Sequence, residues 1–254
     1  TIVRHFLRWQ RTYEPITDQW IGASSVFDAL VSMATFRLNE DEAQEATIID
    51  SSGVSYKARS IYHPFLGEKA VRNNFDIQNH EYYIITGANM AGKSTFLRTL
   101  GMNYILAMNG LPVFAEEMRV SVFRLFTNMR TTDDLTHGIS YFNAELLRLK
   151  QLIASLDPNV PSLIILDEIL KGTNSLDKLN GSRLFLEYIS ERNVTGVIAT
   201  HDLELSKLED ENPQRFHNYS FEIELGTDVT YTYKIGRGVA RNQNATFLLK
   251  QILI

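Results

Sequence analysis

The sequence has no cysteine. A disulfide framework and thiolate metal sites are therefore excluded. It also lacks an excess of positive charge: the formal net charge is −5. A protein that grips nucleic acid along its whole surface is usually basic, so any such contact must be local or lie outside this chain. No uninterrupted apolar run reaches the roughly 18 residues that a membrane span needs. The start, TIVRHFLRWQ, lacks an initiator Met and does not resemble a signal peptide. That start predicts a C-terminal portion of a longer protein. There is no internal repeat and no low-complexity tract.

What remains is an ordinary globular composition, 44% hydrophobic and 22% charged over 254 residues. That length fits one large α/β domain with a small appendage. Apolar residues recur at helical spacing from Trp20 to Ala34, which predicts a helix capped by Thr17 or Asp18. The acidic stretch from Asn39 to Ala46 reads as a connection. We therefore expect a helical segment over residues 1–40 and a second domain over 41–254. Within the latter, strand and helix patterns alternate from Tyr82 onward. VSVFRLFTNM reads as one strand. A helix is expected from about Ser140 to Leu156, and SLIILD as a strand buried on both faces. RFHNYSFEIEL and VTYTYKIG read as an antiparallel pair, followed by a last helix near Asn242. The expected fold is α/β, with a mostly parallel, helix-flanked sheet, an antiparallel part and an N-terminal helical segment.

Four motifs carry chemistry. Gly87-Ala88-Asn89-Met90-Ala91-Gly92-Lys93-Ser94 fits G-x-x-x-x-G-K-[ST] between a strand and a helix. In such a loop backbone N–H groups and the helix N-terminus face an anion, and Gly92 permits close approach. Lys93 then reaches the β- and γ-phosphates, and Ser94 offers its hydroxyl to Mg²⁺. Next, LIILDEI ends a buried strand in Asp167-Glu168, at the sheet edge where ligands bind. Asp167 would hold Mg²⁺ through water, and Glu168 would activate the attacking water. Third, IATHD ends another strand at His201, placed to sense a γ-phosphate. Last, THGISYFNAE puts Gly138 and Ser140 at a helix N-terminus.

In this order the motifs resemble the ABC-type ATPases. TGANMAGKST, DDLTHGISYFNAE, LDEILKGTNSLD and ATHDLEL resemble more closely the ATPase domain of the MutS family. YHP at Tyr62–Pro64 and DALVSMA on the first helix are similar to further family segments. The resemblance covers about residue 20 to the C-terminus. It implies that Asn89 and Lys93–Thr95 bind the phosphates of ATP, with Ser94 and Asp167 on Mg²⁺. It makes Glu168 the general base, His201 the γ-phosphate switch, and Lys93 part of the catalytic set. Ser140, with Gly138, would act in trans across an ATP-dependent homodimer, and Thr173, Asn174 and Asp177 would lie at that interface. The family's adenine-stacking aromatic falls here at Ala70 or Val71. Ala88, Ala91, Tyr141 and Leu170-Lys171 depart from the family pattern. The resemblance implies a cytoplasmic DNA repair ATPase that reaches DNA through parts outside this chain. Targets in the family's other branches are branched DNA or stalled ribosomes. Further alternatives are a non-hydrolysing structural domain, or another ABC-type ATPase of chromosome maintenance or transport.

Overall fold

In the computed structural model the described residues are 1–40, 42–129, 141–170, 174–225 and 229–241. They fall into two compact units that divide after Ala43.

The first unit is one helix, α1, Ile2–Asn39. It starts well before the expected cap at Thr17 or Asp18. Thr17 does not cap: its hydroxyl donates to the Tyr13 carbonyl one turn back at 2.8 Å. The helix runs through Pro15. A ladder of rings, Trp9–Tyr13 at 6.3 Å and Tyr13–Trp20 at 5.8 Å, spans that proline along one face. An 18-residue window of α1 has a mean hydropathy of 1.2, enough by length and composition alone to cross a membrane. Ser24, Ser25, Asp28 and Ser32 still break its apolar residues into short runs.

The second unit holds two sheets. The smaller contains β1 (Thr47–Ile49), β2 (Tyr56–Ile61), β3 (Asn73–Ile77) and β5 (Glu117–Ser121), in the order β1-β5-β2-β3. The larger contains β4 (Tyr82–Gly87), β6 (Arg124–Asn128), β7 (Ser162–Asp167), β8 (Val194–Ala199), β9 (Phe216–Leu225) and β10 (Val229–Arg237). Its order is β10-β9-β4-β8-β7-β6, parallel throughout except for the antiparallel β9–β10 pair. The segment read as one strand over VSVFRLFTNM is two strands in two sheets. Phe123 divides them: its N–H donates to the Tyr104 hydroxyl at 2.8 Å, and that hydroxyl donates back to the Phe123 carbonyl at 2.6 Å. Both backbone groups are thus withdrawn from the ladder. The helix expected near Asn242 lies outside the described residues.

Helices cover both faces of the larger sheet. Leu163 and Ile165 of β7 pack with α2 (Lys93–Met108) and the smaller sheet. Ile164 and Leu166 point the other way, onto α3 (Tyr141–Ser155), α4 (Ser175–Ser190) and α5 (Leu208–Glu211). This two-sided burial explains why these strands are continuous apolar runs. The architecture is a mostly parallel α/β sheet flanked by helices, with an antiparallel part.

Candidate functional site

The register of the sheet assembles the site. Ile85 of β4 and Asp167 of β7 both pair with Ala199 of β8. The carboxyl ends of the three strands are therefore level, and the residues that follow them converge. Gly87, Asp167-Glu168 and His201 reach one edge because these strands are neighbours, not because they are close in sequence.

The loop 88–92 joins β4 to α2 and lines a cavity of about 530 Å³. Gly92 precedes the helix at φ 107°, in the left-handed region open to glycine. A side chain there would also meet the Tyr233 ring, whose Cδ1 is 3.1 Å from the Cβ position. Asn89, Ser94, Thr95, Val71, Asp167, Glu168 and His201 line the same cavity. Gly138 and Ser140 lie outside the described residues, as does Thr173. Asn174 and Asp177 form the N-cap of α4, where Asn174 Oδ1 accepts the Asp177 N–H at 3.0 Å.

Lys93 is buried at the first position of α2. Its Nζ donates to the carbonyls of Gly87 at 2.7 Å and Ala88 at 3.0 Å. It also stands 3.3 Å from Nε2 of His201. His201 Nε2 in turn is 2.9 Å from Glu168 Oε1, and Lys178 Nζ of α4 is 3.7 Å from Glu168 Oε2. A cationic side chain, Lys178, and the His201 imidazole thus flank one carboxylate at the cavity wall, with Lys93 beside the imidazole. Glu168 has φ 58°, a left-handed conformation uncommon outside glycine. Its own N–H is tied to the Ala199 carbonyl at 2.9 Å.

The oxygen donors suit a hard divalent cation. Ser94 and the mostly buried Asp167 face the cavity. Among the described residues no group of three or more His, Asp and Glu side chains could cage a metal. One carboxylate and one hydroxyl are what Mg²⁺ needs when phosphates and water complete its shell.

The sequence reading missed several cavity residues. Tyr233 of β10 lines the cavity together with Val71, Tyr62 and His63. Tyr233 has φ 53° and lies where the β9–β10 register shifts, between Tyr231 and Ile235. In the sequence it reads only as one member of an alternating strand, TYTY. Burial, with the charge of Arg98, holds His63 below the ordinary imidazole value.

Comparison with known proteins identifies the relatives of this chain. Residues 83–247 match the family described as MutS domain V. The DNA mismatch repair protein MutS of Acetivibrio thermocellus is 32% identical over 85% of this chain and 25% of its own length. That of Persephonella marina is 32% identical over 92% of the chain and 27% of its length. That of Clostridium botulinum strain Loch Maree is 31% identical over 94% and 26%. The chain thus spans about a quarter of the length of these relatives. With the domain V match covering more than half of its residues, the chain belongs to the MutS family and carries that family's ATPase domain.

Proposed function

We propose that this chain binds ATP with Mg²⁺ in the 530 Å³ cavity and hydrolyses it, as the ATPase module of a MutS-like DNA repair protein. The observation that carries the reading is the convergence of Lys93, Glu168 and His201 beside the phosphate loop. The phosphates rest against the loop N–H groups and the N-terminus of α2. Lys93 leaves the Gly87 and Ala88 carbonyls and neutralises the β- and γ-phosphates. Glu168 orients a water and takes its proton as the water oxygen attacks the γ-phosphorus. The bond from that phosphorus to the bridging oxygen breaks, giving ADP and phosphate. His201, already bonded to Glu168, reports the presence of the γ-phosphate. Ser94 and Asp167 would hold Mg²⁺, which would supply charge neutralisation at the phosphates.

In this reading residues 1–40 are a helical connection to the parent protein, and 41–254 are the nucleotide-binding domain. ATP sits between two copies, each completed by Gly138 and Ser140 of the other. DNA is reached through other parts of the parent protein, in the cytoplasm. The test is Mg²⁺-dependent phosphate release by purified protein, with sizing chromatography of Glu168→Gln in ATP. Phosphate release above background and an ATP-dependent shift to twice the mass are expected. No ATP binding at millimolar concentration would overturn the assignment.

A further inference from the structure

Glu145 on α3 is 1% exposed and has no part in the chemistry above. A carboxylate is buried so deeply only where hydrogen bonds hold it. Its Oε1 accepts the backbone N–H of Leu170 at 2.6 Å. Leu170 is the last residue of an unusual turn: Glu168 has φ 58° and Leu170 has φ 60°. Two left-handed residues that are not glycine, so close together, persist only where their surroundings over-determine them. Here the turn is pinned at both ends. The Glu168 N–H is bonded to Ala199 of β8, and the Leu170 N–H to Glu145. Between these bonds Ile169 and Leu170 are buried in the cluster that contains Leu149 and Leu152 of α3. The direction of the Glu168 side chain follows from that turn.

We infer that Glu145 is the positioning residue for Glu168: its buried carboxylate holds the 168–170 turn and so aims the general base at the cavity. The inference rests on the reading of Glu168 as that base. Because Glu145 is mounted on α3, a displacement of this helix is passed to the 168–170 turn through the Glu145–Leu170 bond and the apolar packing beside it. Glu145 is not among the residues lining the nucleotide cavity. Its loss therefore acts on turnover and leaves nucleotide affinity alone.

Steady-state ATP hydrolysis and fluorescent-ADP binding by the intact protein test this in three variants. Glu145→Asp withdraws the acceptor while keeping the charge, Glu145→Leu removes it, and Glu145→Gln keeps an acceptor oxygen in place. We expect kcat to fall about 10-fold or more in Glu145→Asp and Glu145→Leu, with KM and nucleotide Kd within about 2-fold of the parent. Glu145→Gln should recover kcat to within about 3-fold of the parent. If Glu145→Leu does not fold, Glu145→Asp decides by the same split. Unchanged kcat in Glu145→Asp, equal losses in kcat and affinity, or no recovery by Glu145→Gln would each overturn the inference. A parent protein that binds and hydrolyses no ATP would instead overturn the functional reading beneath it.

Discussion

His201 donates from Nε2 to Glu168 Oε1 across 2.9 Å. A carboxylate only accepts, so the proton of this contact belongs to Nε2. Lys93 Nζ stands against the same ring, 3.4 Å from Nδ1 and 3.3 Å from Nε2. Lys93, His201 and Glu168 therefore form one contiguous run of polar contacts. A group on the γ-phosphate that draws Lys93 away also changes the partner of His201, and through it the setting of Glu168.

Glu168→Gln keeps the volume and one acceptor oxygen but cannot take a proton. Nucleotide Kd should stay within about 3-fold of the parent, while turnover falls by about 10²-fold or more, the usual size of a general-base contribution. Single-turnover phosphate release, read beside equilibrium nucleotide binding, separates the two effects. Turnover at the parent rate would remove Glu168 from the role of base.

Lys93→Met acts at the other end of this run. The ammonium now satisfies the Gly87 and Ala88 carbonyls and, on binding, transfers to phosphate oxygens. Without it the nucleotide loses its main charge partner. ATP affinity should drop at least about 10-fold by calorimetry, and AMP affinity far less. Equal losses for both nucleotides would place Lys93 away from the terminal phosphates.

Tyr233→Ala addresses the base. The ring lines the cavity beside Gly92, and Asn73 Nδ2 bonds the Tyr233 carbonyl at 3.0 Å, fixing this part of β10. Stacking of a base on an aromatic ring contributes about 1–3 kcal/mol. KM for ATP should therefore rise about 5- to 100-fold with kcat unchanged, and Tyr233→Phe should behave as the parent. An unaltered KM in Tyr233→Ala would leave the base to Val71 and its neighbours.

His63 gives a pH dependence with a definite sign. Burial depresses its folded-state value below that of the unfolded chain. Below the unfolded value the unfolded state binds more protons, so this group's contribution falls as the pH drops from about 6.5 toward the depressed value. Chemical denaturation at pH 7.5 and 5.5 should show a smaller loss of stability on acidification in His63→Asn than in the parent. Equal losses would assign the acid sensitivity to other groups.

The phosphate loop and the Asp167-Glu168 strand end were legible in the sequence because both are local. Backbone N–H groups, a glycine and a lysine must be contiguous to hold a phosphate, and an apolar strand announces its own end. His201 was legible only together with them, since its place depends on β8 lying between β4 and β7. Tyr233, Glu145 and Lys178 were not legible in their roles. Each acts through a contact across ten or more residues of sequence, made by register or packing rather than by a motif. The start of α1 was misplaced for a related reason. Thr17 and Pro15 are ordinary signals of a helix start, and the ring ladder Trp9–Tyr13–Trp20 that carries the helix through them is a cooperative feature.

Gly196 offers a stability test that does not pass through the nucleotide. It sits in β8, between Tyr82 of β4 and Ile164 of β7. A Cβ there would stand 2.6 Å from Cδ1 of the Tyr82 ring and 3.1 Å from Cδ1 of Ile198. The ring has nowhere to retreat. Tyr82 is fully buried, packs against Phe216 at 5.4 Å, and donates its hydroxyl to the Val194 carbonyl at 3.0 Å. Overpacking of this kind costs about 1–3 kcal/mol. Spread over a domain of this size, that lowers Tm by about 2–12 °C. Tyr82→Leu alone should also destabilise, by leaving a cavity. In the double variant the added methyl occupies part of that cavity, so the combined loss should be smaller than the sum of the two. Thermal melts of the four proteins measure the coupling, and strict additivity would mean that Gly196 and Tyr82 do not meet across the sheet.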